Sequence, residues 1–199
     1  MAVKRKRSIW TAANIVTVSR VALVPLWLLL AEVLPASDGS AFSVGAFFVF
    51  LLFCALSLTD SLDGYLARSM HQVTDFGKFL DPIADKLVVI VALSFLLEKG
   101  IISSWVMLIV VGREFLISAL RMVVAAKGTV ISASMLGKVK TALTMVAIGG
   151  LLLCRALPAG GFLNVIEMIS SIVLAAAIFF TVWSGVEYMA KSWKYVDGR

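Results

Sequence analysis

Hydrophobic positions along this chain fall into six long runs, each closed by a short polar or helix-breaking stretch. The first runs from Ile15 to Leu34 and stops at Pro35. The second runs from about Phe42 through Leu58 and carries on past Asp60 and Asp63 towards Arg68. The third runs from Lys78 to Leu97, the fourth from Ile101 to Ala126, the fifth from Thr141 to Leu157 and the sixth from Phe162 to Met189. Between them lie the polar turn at 35–41, a loop over 69–77, Glu98-Lys99-Gly100, a polar connection from Lys127 to Lys140, and Pro158-Ala159-Gly160-Gly161. A helix needs about 17–25 residues to cross the hydrocarbon core, and these runs meet that length. The pattern predicts an all-α integral membrane protein with six transmembrane helices. An even number of spans puts both termini on one side.

Composition supports the same class. Of 199 residues, 61% are hydrophobic, against about 45–50% in ordinary soluble domains. Mean hydropathy is +1.01. The two cysteines, Cys54 and Cys154, sit inside apolar runs and read as small buried hydrophobes. The first apolar run is long, with no small-residue cleavage site behind it, so no cleavable signal peptide is expected. Lys4-Arg5-Lys6-Arg7 followed by Trp10 marks residues 1–13 as a basic interfacial segment or a topology-setting tail, ahead of one membrane domain over 14–199.

The formal net charge of +6 is unevenly placed. Lys4 to Arg7, Arg68, Lys78, Lys127, Lys138, Lys140, Lys191, Lys194 and Arg199 fall on the side of the termini; only Lys99 and Arg155 fall on the other. The positive-inside rule makes the terminal side cytoplasmic. Positive residues bordering oily segments suit anionic headgroups better than nucleic acid.

Against this apolar background, Asp60, Asp63, Asp81 and Asp85 stand out. Positions three apart on a helix are separated by about 60° and positions four apart by about 40°. Asp60 and Asp63 therefore share one face of one helix, and Asp81 and Asp85 share one face of the next. Taken singly, each fits a cap or an ion pair with Arg68 or Lys86. Together, if the helices pack antiparallel, four carboxylates converge near one membrane surface. Such a group needs compensation in a low dielectric. An all-oxygen donor set suits Mg²⁺ or Mn²⁺ rather than zinc.

The stretch from Asp60 to Asp85 reads D-x2-D-G-x2-A-R-x8-G-x3-D-x3-D, eight fixed positions over 26 residues. At every fixed position it resembles the signature of the CDP-alcohol phosphotransferases. The resemblance implies a donor, CDP-diacylglycerol or a related CDP-lipid, and an alcohol acceptor, with CMP leaving. It further implies two divalent cations held by the residues matching Asp60, Asp63, Asp81 and Asp85. The residue matching Asp85 is also the base that accepts the hydroxyl proton. Gly64, Arg68, Thr74 and Gly77, with Asn14 and Thr17, match positions that contact the CDP part, and a homodimer is implied. On the residues alone, Gly64 permits close backbone approach and Arg68 can fork onto a phosphate. Helix packing, a topology charge and a cap are the plainer readings of Gly64, Arg68 and Thr74.

The second half bears on the acceptor. Arg113 and Arg121 are eight apart, within about 80° on one helix, and buried arginines need anions. Glu114 or an aspartate is one source; an acidic acceptor is the other. The runs TDFGKFLDPIADK, GREFLISALR and GTVISASMLGKVKT, with NIVTVSR near the start, resemble the bacterial phosphatidylglycerophosphate synthase branch of that family, in the bacterial inner membrane. This implies sn-glycerol 3-phosphate as acceptor, bound by Arg113, Arg121, Lys138 and Lys140. A cardiolipin synthase or phosphatidylinositol-phosphate synthase would also take an anionic acceptor. A divalent-cation transporter or a structural scaffold are the readings from other classes. The sixth run carries no diagnostic motif.

Overall fold

The computed structural model describes residues 12–69, 75–126 and 135–196. At 12–16, 60–69, 75–82, 85, 126 and 194–196 only the backbone is described. Six helices account for most of these residues: α1 Ala12–Val33, α2 Val44–Ser69, α3 Asp75–Glu98, α4 Ser104–Ala126, α5 Met135–Cys154 and α6 Gly161–Val196. There is no strand among the described residues.

Short connections make successive helices antiparallel, and the turn chemistry is local. Ser43 caps α2, its Oγ accepting from the Ala46 amide at 3.1 Å while its hydroxyl donates to the Pro35 carbonyl. This satisfies an orphan donor of the first turn. Gly100, at φ 70°, ends α3 in a Schellman motif. The Ile101 amide donates to the Leu96 carbonyl and the Gly100 amide to the Leu97 carbonyl. The α1–α2 and α5–α6 loops are tied by backbone bonds from Ser37 to Arg155, Ser43 to Ala156 and Ala159 to Gly39.

Helix ends differ from the hydropathy reading by up to seven residues, and three of the differences bear on the site. α5 begins at Met135 rather than Thr141, so Gly137, Lys138 and Lys140 are helical. A helix satisfies its own backbone bonds whatever its side chains, so hydropathy marks where lipid begins rather than where the helix does. α6 continues beyond Met189 to Val196. Nothing between them breaks a helix, and Lys191 pairs with Glu187 one turn back. α3 begins at Asp75 rather than Lys78, so Asp81, Pro82 and Asp85 lie about one turn deeper in the helix. Proline there withdraws one bond, to the Lys78 carbonyl.

Trp27 centres the core. Its ring lies edge-on to Phe95 of α3 at 5.8 Å and tilted against Phe53 of α2 at 6.1 Å. Its indole Nε1 donates to the Val49 carbonyl at 3.0 Å, so the one polar atom of a buried aromatic is satisfied. Ala31, Ala92 and Ala147 are fully buried between helices, where small side chains allow close approach. α5 uses two adjacent glycines in this way: Gly149 faces Phe50 and Phe53 of α2, and Gly150 faces Ser170 of α6.

The outer surface is apolar. Leu26, Leu29, Phe48, Leu108, Phe115, Ile172, Phe179, Val182 and Trp183 are exposed, while Arg20, Lys140, Thr144, Ser170, Thr181 and Ser184 are buried. The buried hydroxyls of Thr144, Ser170 and Thr181 donate to carbonyls one turn back in their own helices. Among the described residues α5 and Gly161–Trp193 of α6 are long and apolar enough to span a bilayer, and Val44–Thr59 is a shorter apolar stretch. An apolar exterior over a partly polar interior is the arrangement lipid requires. This is an all-helical membrane protein.

A Cβ on Gly150 would lie 2.1 Å from Ser170 Oγ and 3.1 Å from Ser170 Cβ. Gly150→Ala should therefore lower stability in detergent by about 1–2 kcal/mol, read as a lower thermal unfolding midpoint. Adding Ser170→Ala should restore part of that loss.

Candidate active site

The described residues singled out for chemistry map towards one end of the bundle. That end gathers the start of α1, the close of α2, the start of α3, the close of α4, the start of α5 and the close of α6. Asp60, Asp63, Gly64 and Arg68 occupy the last turns of α2; Gly77, Asp81 and Asp85 occupy the early turns of α3; Asn14 is on the first turn of α1. For these the backbone alone is described. Residues 70–74 join α2 to α3, and Thr74 lies outside the described residues. Helix register puts the paired aspartates on neighbouring antiparallel helices at a common end. Thr17 and Arg20 on α1 are buried, Arg20 to 3% exposure, so this arginine faces the interior and not lipid.

Arg113 and Arg121 of α4 and Lys138 and Lys140 of α5 border one cavity of about 440 Å³. Lys86 of α3, Glu114 and Ser118 of α4 and Tyr188 of α6 border it too. Lys86 directly follows Asp85 in the chain. Lys140 lies inside at 5% exposure, and Lys138 is exposed at the rim. A second cavity of about 240 Å³ continues between α3, α4 and α5, bordered by Val89, Ile90, Val110 and Val111, and shares Lys86, Glu114 and Lys140 with the first.

Five cationic side chains border the larger cavity, and Glu114 is its one carboxylate among the described residues. Arg113 Nη1 pairs with Glu114 Oε1 at 3.2 Å, and Lys140 Nζ pairs with the same oxygen. Arg113 Nη2 donates to Ser184 Oγ of α6 at 3.0 Å. Lys86 Nζ donates to Ser118 Oγ, whose hydroxyl donates to the Glu114 carbonyl at 2.7 Å. The Arg121 guanidinium lies over the Tyr188 ring, 5.5 Å from its centroid. For Arg113, therefore, the plainer source of an anion, its neighbour Glu114, is realised. Five cationic groups around one cavity fit a site for a polyanionic ligand.

A family model described as CDP-alcohol phosphatidyltransferase matches residues 10–183. The chain belongs to the CDP-alcohol phosphatidyltransferase family. It is 40% identical over 190 residues to a Bacillus subtilis protein named CDP-diacylglycerol–glycerol-3-phosphate 3-phosphatidyltransferase, covering 91% of this chain and 94% of that one. Relatives of the same name from Rickettsia bellii (36% identical, 92% and 95% covered) and Haemophilus influenzae (38%, 87% and 88%) are similar over most of their lengths.

For a CDP-alcohol phosphatidyltransferase, two cavity residues were given no acceptor role by the sequence reading. Lys86 appeared there only as an ion-pair partner for the aspartates, although its place beside Asp85 was a signal. Tyr188 lay in the run without a motif. Its signal was periodic: Thr181, Ser184, Tyr188 and Ser192 recur at three- and four-residue spacing in an otherwise apolar helix, and all four are buried.

Glu114→Gln removes the partner of two largely buried cations, and such losses cost about 3 kcal/mol. The variant should unfold at a lower temperature in detergent, and Lys140→Gln in the same chain should recover part of the difference.

Proposed function

We propose that this chain transfers the phosphatidyl group of CDP-diacylglycerol to sn-glycerol 3-phosphate, giving phosphatidylglycerophosphate and CMP. The observation that carries this reading is the cavity bordered by five cationic side chains, in a chain whose relatives are named for that reaction. A phosphate monoester carries about two negative charges at neutral pH, and Arg113, Arg121, Lys138 and Lys140 supply the charge to hold it. The apolar extension along Val89, Ile90, Val110 and Val111 keeps this pocket continuous with the oily interior.

Asp60, Asp63, Asp81 and Asp85 form an all-oxygen donor set at helical spacing on neighbouring helices, which fits hard divalent cations such as Mg²⁺ or Mn²⁺. Two such cations, when bound, neutralise charge on the transferred and leaving phosphates. Gly64, Arg68, Thr74, Gly77, Asn14 and Thr17 bind the CDP portion, with Arg68 on a phosphate. Asp85 takes the proton of the acceptor hydroxyl as that oxygen attacks the lipid-side phosphorus in line. The new P–O bond forms, the bond to CMP breaks, and CMP leaves with the electron pair.

The site faces the cytoplasm of a bacterial inner membrane that the six helices cross; the basic stretch Lys4 to Arg7 lies outside the described residues. In support, the cations gather at the site end, and the far end has only Lys99 and Arg155. Cation transport gains little support. A transport path needs carboxylates free along its length, yet at the far end Glu32 and Glu98 pair with Lys99 and Asp38 accepts from Ser40.

Purified protein given CDP-diacylglycerol and Mg²⁺ or Mn²⁺ should release CMP with glycerol 3-phosphate and not with inositol phosphate or phosphatidylglycerol. Release with another acceptor alone would overturn the acceptor assignment and leave the aspartate site standing. Asp81→Asn should lose turnover by at least about a hundredfold while its melting profile stays close to wild type, because a ligand is lost without opening a cavity. Full turnover in that variant would count against the proposed site.

A further inference from the structure

α6 brings one residue to the cavity that the charge argument leaves unused. Tyr188 is 4% exposed, borders the cation-rich cavity, and its hydroxyl has no hydrogen-bond partner among the described residues. A buried tyrosine hydroxyl ordinarily finds a partner, and leaving it without one costs stability. The ring already has a use, since the Arg121 guanidinium rests on it. A phenylalanine would serve that use equally well, so the hydroxyl is the unexplained part. The same cavity is bordered by Arg113, whose buried Nε also lacks a partner. Two orphan donors on two helices thus border one pocket, both able to donate to an oxyanion.

We propose that Tyr188 is an acceptor-binding residue whose hydroxyl donates to a phosphate oxygen of the anionic acceptor, while its ring holds Arg121 against the same phosphate. The inference rests on the acceptor reading of the cavity given above. It assigns to α6 a share in selecting the acceptor and none in the bond-making step.

Tyr188→Phe keeps the platform for Arg121 and deletes only the hydroxyl. A lost hydrogen bond to a charged group corresponds to about a tenfold weaker interaction. KM for glycerol 3-phosphate should therefore rise about tenfold, with kcat and the KM for CDP-diacylglycerol little changed and the thermal midpoint no lower. Ser192→Ala is the control. Its Oγ is also buried and unpartnered, one turn further along α6, but it does not border the cavity, and its kinetics should match wild type. An unshifted KM for glycerol 3-phosphate in Tyr188→Phe overturns the inference and leaves the proposed activity intact. An equal rise in both KM values, or the same rise in Ser192→Ala, also overturns it, because that marks general loosening of α6. Wild-type protein inactive with glycerol 3-phosphate overturns the acceptor reading and this inference together.

Discussion

Glu114 answers two cations at once, and the charged end of this bundle is arranged around that sharing. Charge removed from water must be met by opposite charge or by hydrogen bonds. In a chain coated with leucine, phenylalanine and valine, the only place to meet it is inside. Arg113 and Lys140 come from different helices and converge on one carboxylate oxygen. Arg113 also reaches Ser184, so α4, α5 and α6 are fastened by one polar cluster. Arg121 and Lys138 border the same cavity with no carboxylate at ion-pair distance among the described residues, so an anionic ligand can be met there.

The opposite end makes the contrast clear. Lys99 pairs with Glu32 at 2.6 Å and lies near Glu98, and the Glu32 carboxylate holds its ammonium above the usual lysine range. Arg155 lies over the Phe95 ring, 4.5 Å from its centroid, with burial lowering its affinity for the proton. The Ser40 hydroxyl and amide hold the Asp38 carboxyl below its usual range. Charges at this end are met locally and serve the architecture. At the other end Arg121 and Lys138 border a cavity and are available to a ligand.

Much of this was legible in the sequence because the relevant physics is local. Pro35, Gly100 and the Pro158–Gly161 stretch mark breaks whatever the rest of the chain does, and Gly100 is needed at a positive φ. The aspartate spacing is readable because helical periodicity fixes which positions share a face. Arg113 and Arg121 were legible as a pair for the same reason. The start of α5 was not, since Lys138 and Lys140 look like loop residues until a cavity is there to receive them. Tyr188 was least legible: its position beside Arg121 depends on how α4 packs on α6, and no short pattern encodes that.

The three backbone bonds between the α1–α2 and α5–α6 loops reach beyond their own neighbourhood. They involve no side chain and no chemistry, yet they pin two rods at one end. A pinned rod fixes the azimuth and height of everything along it, at about 100° and 1.5 Å per residue. The number of helical residues between each of these ties and the polar end thus acts as a vernier for the other end of the bundle. One residue inserted within a helix beyond these ties would turn everything past it by more than a quarter of a circle and carry its polar end out of alignment. The least functional-looking segment of the chain is where the aim of the site is set.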